Sequence, residues 1–136
     1  MDENTIMERR NISSGAPWED IVGYSRAVKM GPWVEVTGTV AVDDTGKVVG
    51  KDDMYTQARY ALEKIERILD EAGASLSDVV RTRIFVTDIS QWEAVGRAHS
   101  EMLGKVKPAT TMVEVSKLIS PEYLVEIEAR AYIQED

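Results

Sequence analysis

The residues of this chain that could do chemistry are few. His99 is the only histidine. It shares a helical stripe with Trp92 and Met102, so it is either a packed, satisfied side chain or a pocket donor and general base. One histidine without cysteine cannot build a conventional zinc site, which takes several nitrogen or sulfur ligands, so no metal is expected. A Ser-His-Asp arrangement is possible by count only, since the strained turn that presents a nucleophilic serine is missing. Glu126 and Glu128 stand two apart on one strand face, which puts their Cα atoms ~6.5 Å apart. Paired glycosidase carboxylates sit at a similar ~5–9.5 Å, but any Glu-x-Glu strand gives that spacing. Carboxylates facing arginines are more often structural.

Gly38 interrupts a strand in Val36-Thr37-Gly38-Thr39. A strand glycine marks a bulge or a close backbone approach, and here it could also offer a backbone N–H to a ligand. Neither a Walker A loop nor a G-x-G-x-x-G fingerprint occurs, so no phosphate cradle is expected.

The elements that must position these groups follow from periodicity. Residues 1 to about 20 are polar, with a turn cluster at Ser13-Ser14-Gly15-Ala16-Pro17, and read as an extended arm. Tyr24 to Met30 and Trp33 to Val42 read as strands joined by the Gly31-Pro32 turn, with Lys47 to Val49 a possible short edge strand. Ala58, Ala61, Leu62, Ile65, Ile68, Leu69 and Ala72 recur at helical steps, with Asp52 or Asp53 to cap the start and Gly73 to end it. Val79 to Thr87 is a strand. Ser90-Gln91-Trp92-Glu93 has the form of a capping box and opens a second helix. That helix turns Trp92, Val95, His99, Met102 and Leu103 inward and ends at Gly104. Thr110 to Val115 and Leu124 to Ile133 complete the strands.

The order is ββ(β)αβαββ in one domain spanning residues 1–136. Each helix must bury its stripe, so the fold class is α+β: a single sheet with both helices packed on one face. The other face carries Arg81, Arg83 and Arg130 among Glu114, Glu126 and Glu128, interleaved with Phe85, Met112 and Tyr132. It is either a solvated face with charges paired across strands or a polar interface between subunits.

Composition bounds the partners. The net charge of −8 and the pI near 4.7 argue against nucleic acid and anionic membranes, both of which need a basic face. The absence of cysteine removes disulfides and thiolate catalysis and fits an intracellular setting. No secretory h-region or membrane-spanning run is present, so a soluble cytoplasmic protein is expected.

Taken together, the chain from about Gly23 onward resembles the Rid family, the reactive intermediate deaminases or YjgF-like proteins. The resemblance is carried by Gly23-Tyr24, Val36-Thr37-Gly38, Gln57-Ala58-Arg59, the run from Ala72 to Val80, Phe85-Val86-Thr87-Asp88, Pro108-Ala109, Val113-Glu114-Val115, and Val125-Glu126-Ile127-Glu128-Ala129. It implies a chorismate-mutase-like fold and a homotrimer, with small-molecule clefts between subunits. It also implies hydrolysis of reactive imines or enamines with no metal or organic cofactor.

Carried over residue by residue, Glu126 would orient or activate water. Tyr24, Thr37 (where a serine is usual) and Gly38 match pocket positions, and His99, Thr110 and Thr111 join them as further candidates to bind substrate. Thr110 stands where the archetype has an arginine, Met112 where it has a cysteine, and Gly96 where it has an asparagine. A threonine replaces neither the charge nor the forked geometry of a guanidinium. Lys107, Arg97 or His99 are the candidates for compensating charge. Two readings therefore stand: a cofactor-free hydrolase, or a trimer that binds a small metabolite without turning it over. The ribonuclease activity sometimes attached to the family is disfavoured by the negative charge.

Overall fold

The computed structural model describes residues 8–134. The element order is β1 (Arg9–Ile12), α1 (Pro17–Val22), β2 (Ala27–Met30), β3 (Trp33–Thr39), α2 (Met54–Glu71), β4 (Val79–Val86), α3 (Trp92–Leu103), β5 (Ala109–Glu114) and β6 (Val125–Tyr132). The strands form one sheet in the order β1-β2-β3-β6-β4-β5. Neighbours are antiparallel except β4 and β5, which run parallel because α3 carries the chain across between them. The α+β class, the single sheet and the two helices on one face are as the periodicity requires.

The last strand occupies the middle of the sheet. Val125, Ile127, Ala129 and Ala131 of β6 are buried. They meet the stripe Ala58, Ala61, Leu62, Ile65 and Leu69 of α2, together with Val95, Ala98 and Leu103 of α3. Asp53 caps α2, accepting a hydrogen bond from the Thr56 N–H at 3.1 Å. Gln57, fully buried in the first turn, works as a clasp. Its amide donates to the carbonyls of Gly50 (3.1 Å) and Glu122 (3.0 Å) and accepts from the Leu124 N–H (2.9 Å). The entry to β6 is thereby pinned to the start of α2. Lys64 does the same for the exit of β3, donating to the carbonyls of Val40 (2.9 Å) and Val42 (2.8 Å).

Several local expectations need correction. Of the expected extended arm, residues 1–7 lie outside the described residues. The rest carries structure: β1 pairs with β2 at the sheet edge, and Pro17 opens the short helix α1. The possible strand Lys47 to Val49 is a single bridge between Val42 and Val48. Ser90 does not cap α3. Asp88 accepts from the Ser90 N–H and starts a 3-10 turn over Ile89–Gln91 ahead of the helix. That extra turn rotates Trp92 outward, where it is 56% exposed.

Val80, expected on the buried face with Thr82 and Ile84, is exposed because β4 bulges there. Val79 pairs with Ala131 and Arg81 with Arg130, leaving Val80 as the extra residue. Met112 and Glu114 lie beside Ile84 and Val86 in the parallel register, on the helix-covered face and not among the arginines. Parallel partners share a face, and the one-strand reading had no partner to fix it.

Replacing the Gln57 amide by an isosteric apolar chain takes the partner from two carbonyls and one N–H in partly buried positions. The Gln57→Leu variant is expected to lose stability by about 1–3 kcal/mol, the cost of stranding buried polar groups, measured by urea unfolding at equilibrium.

Candidate functional site

The open face of the sheet bears the charged residues of the strands. Most pair with the residue directly across the ladder. Arg83 meets Glu128 at 3.1 Å and Arg130 meets Glu35 at 2.6 Å. These pairs join register partners and, half exposed, stabilise the sheet only modestly. Arg81 donates to the Thr111 hydroxyl at 2.8 Å. Glu114, expected among these pairs, instead accepts from the Ile89 N–H at 3.0 Å. A concavity of about 740 Å³ opens over this face, walled by Tyr24, Thr37, Glu19, Arg81, Arg83 and Glu128 among others.

Glu126 lies on the same face one step further along β6, outside that wall. It answers to no ion pair among the described residues. What holds it is space. The β3–β6 register slips between Val36 and Thr39, a bulge that contains Thr37 and Gly38. A methyl group built on Gly38 would overlap Glu126 Oε2 and lie 2.9 Å from its Cδ. The glycine is therefore needed for room: the carboxylate folds down onto bare backbone. The bulge read from the sequence is present, and what approaches the glycine is the Glu126 side chain.

That position has an electrostatic consequence. Burial, and then the neighbouring Glu128 charge, push the Glu126 carboxyl above its ordinary value, with the Arg26 charge opposing them. Arg26 itself was not singled out in the sequence. Its Nη1 donates to the Gly38 carbonyl at 3.2 Å, and its guanidinium carbon lies 5.8 Å from the centre of the Tyr24 ring. It also acts on Glu19, one of few buried charged side chains. Burial tends to raise the Glu19 carboxyl, but hydrogen bonds from Ser14 and Ser13 and the Arg26 charge outweigh it and hold the group below its ordinary value.

The sequence-derived site residues thus divide. Gly38 touches both Glu126 and Arg26, and the Arg26 guanidinium also faces the Tyr24 ring, while Tyr24 and Thr37 wall the neighbouring concavity. His99 and Thr110 sit on the helix side at the sheet's other edge. His99 Nε2 is 2.9 Å from the Thr82 hydroxyl, and that hydroxyl is 2.8 Å from the Thr110 hydroxyl. Thr110 also donates to the Pro108 carbonyl at 3.1 Å. Burial alone lowers the His99 pKa, so the ring is neutral at neutral pH. Within one chain it is a packed, hydrogen-bonded histidine. Thr111, on the open face, is engaged by Arg81. Arg97, a candidate for compensating charge, lies over the Tyr55 ring at 4.4 Å on the helical surface.

Comparisons with known proteins bear on this geometry. A family model described as endoribonuclease L-PSP matches residues 15–133. A RutC family protein of Pyrococcus abyssi is 41% identical over 110 residues, 80% of this chain and 85% of that protein. A 3-aminoacrylate deaminase, RutC, of Acinetobacter baylyi is 34% identical over 90% of this chain and 95% of its own. Among solved structures, one from Mycobacterium tuberculosis, described as a member of the highly conserved YjgF/YER057c/UK114 family, superposes with a TM-score of 0.84 at 52% identity. It covers 93% of this chain and all of its own. A putative endoribonuclease of Thermotoga maritima gives a TM-score of 0.79 at 28% identity, covering 99% of this chain and 100% of its own.

Because the Glu126 carboxyl is raised, the folded chain holds its proton more tightly than the unfolded chain does. Its contribution to stability is present below the ordinary carboxylate value of 4.5 and is lost as pH rises through the raised value. Glu126→Gln removes that loss. Its Tm relative to the parent protein is expected to increase from about pH 4 to pH 7, measured by thermal unfolding across that range.

Proposed function

The chain belongs to the YjgF/Rid family, the group described by the endoribonuclease L-PSP model, and from that premise we propose that it hydrolyses small reactive imines or enamines without a cofactor. In this reading three copies assemble, and the pocket is completed where one subunit's Glu126 region meets the next. The observation that carries the reading is the Glu126 carboxylate, seated on Gly38, raised by burial, and within the field of the Arg26 charge.

A carboxylate with a raised pKa is a better base, because it holds the proton it removes. Glu126 would take a proton from water as the water oxygen bonds to the imine carbon and the C=N electron pair moves to nitrogen. Protonation of that nitrogen and collapse of the carbinolamine then expel ammonia and leave a carbonyl. The balance is imine plus water to ketone plus ammonia. Tyr24 and Thr37 would supply hydroxyls to orient the substrate. An enamine enters the same path after tautomerising.

A second reading, binding without turnover, draws on Thr110. Its hydroxyl is occupied by Thr82 and Pro108. It presents no charge to a substrate. Ribonuclease action is opposed by the net charge of −8 and by the pairing of Arg83 and Arg130 with glutamates on the strand face.

The deciding assay generates 2-aminoacrylate in situ and follows its disappearance against the spontaneous rate. The parent protein is expected to accelerate it, and Glu126→Gln to lower kcat by about 10²–10⁴-fold, the usual worth of a general base. Acceleration unchanged in Glu126→Gln would remove Glu126 from the mechanism. Ligand binding without acceleration would select the second reading. The solution mass, expected at three times 15.2 kDa, checks the assembly.

A further inference from the structure

We propose that Lys64 is a nucleophilic amine that accepts the acyl group of a small acyl phosphate, and that modification there frees the segment by which the chain leaves β3.

Lys64 stands on α2 and is half-buried. Its Nζ donates to the carbonyls of Val42 at 2.8 Å and Val40 at 2.9 Å. It takes part in none of the ion pairs among the described residues. Asp43, in the segment that Lys64 holds, spends its Oδ1 on the Thr45 hydroxyl and on the N–H groups of Thr45 and Lys47.

The number of donors decides what this amine can do. An ammonium has three N–H bonds, whereas a neutral amine has two and a lone pair. Two carbonyls are therefore served as fully by the neutral amine, and loss of the proton leaves the lone pair in the remaining direction. The surroundings favour that loss. Burial first, then the charges of Arg26 and Arg67, bring the Lys64 pKa down to about 8, with Asp44 and Asp43 opposing them. A desolvated lysine beside other cations is a nucleophile near neutral pH.

The same cations choose the reagent. Arg26, ahead of β2, and Arg67, on α2, act on Lys64 as a basic cluster in a chain whose net charge is −8. Arg67 lies over the Tyr60 ring at 5.7 Å and, like Arg26, joins none of the ion pairs among the described residues. A phosphate leaving group brings negative charge to guanidinium groups suited to receive it. In the step, the lone pair bonds to the acyl carbon, the C–O bond to phosphate breaks with its electron pair on oxygen, and the phosphate carries off the amine proton. Amine plus acyl phosphate gives amide plus inorganic phosphate. The amide keeps a single N–H, so one of the Val40 and Val42 carbonyls loses its partner.

The test treats the full-length protein with acetyl phosphate, to low conversion, from about pH 6 to pH 10. Acetylation of each lysine is followed by peptide mass spectrometry, with the exposed Lys51 and Lys105 as internal comparators. Lys64 should react about 10-fold faster than either at pH 8, and its rate should level off above that pH as the amine becomes fully neutral. A neutral acyl donor, p-nitrophenyl acetate, separates amine reactivity from phosphate recognition. In Arg67→Gln the ratio of the acetyl phosphate rate to the neutral ester rate at Lys64 should fall about 2- to 5-fold, the worth of one partly screened charge. The ratio cancels any change in the amine itself. Hydrogen exchange over residues 40–49 should quicken in protein acetylated at Lys64, relative to Lys64→Arg put through the same treatment.

Lys64 modified no faster than Lys51 and Lys105 at pH 8 overturns the proposal. A rate ratio unchanged in Arg67→Gln overturns the choice of acyl phosphate, and unchanged exchange overturns the release of the segment after β3.

Discussion

Strand β6 lies between β3 and β4, and its period of two governs both halves of the molecule. Its odd-numbered residues from Val125 to Ala131 fill the core, and its even-numbered residues hold Glu126, Glu128 and Arg130 out on the open face. A slip of one residue would exchange the two sets, placing two carboxylates and a guanidinium under the helices. The apolar contacts that stabilise the fold are therefore the same constraint that aims Glu126. The Gln57 clasp acts at the start of this strand and fixes the register from which the alternation is counted. Core packing and site geometry cannot be varied separately here.

Where the chain departs from regular pleating, it does so at β-bulges. The one in β3 gives up ladder pairing around Gly38 and gains a floor of bare backbone on which a carboxylate can rest. The one in β4 turns Val80 out of the core. The first changes the chemistry available on the face, because desolvating one carboxylate beside another raises its proton affinity. Most other charges on that face stay half exposed and paired, where they tune the sheet rather than react.

The architecture was legible because its signals are periodic. The α2 stripe, the turn at Gly31-Pro32 and the two faces of β6 each rest on several residues agreeing. Gly38 was legible as an exception within such a pattern. What escaped reading was set by partners distant in sequence. Val80 depends on a bulge against Ala131, and Met112 on its parallel partner Ile84. Trp92 depends on Asp88 taking the Ser90 N–H and starting a 3-10 turn. His99 and Thr110 were grouped with Glu126, but the sheet separates them and links them through Thr82. Arg26 was overlooked because a lone arginine before a strand has no distinguishing neighbour in sequence. Its meaning comes from the Gly38 carbonyl across the hairpin.

The placing of the final strand in the middle of the sheet has a consequence for how the chain is made. The hairpin of β2 and β3 and the pair of β4 and β5 both emerge before β6, and β6 is what joins them. Until β6 has been made, the molecule is two half-sheets with their inner edges open and the faces of α2 and α3 incompletely covered. Closing pairs such as Glu35 with Arg130 requires bringing distant segments together, which slows folding relative to local pairing. Completion of the sheet is thereby deferred until β6 is available. Exposed inner edges in that interval are where chaperone binding, or pairing with a neighbouring chain, would compete with completion of the sheet.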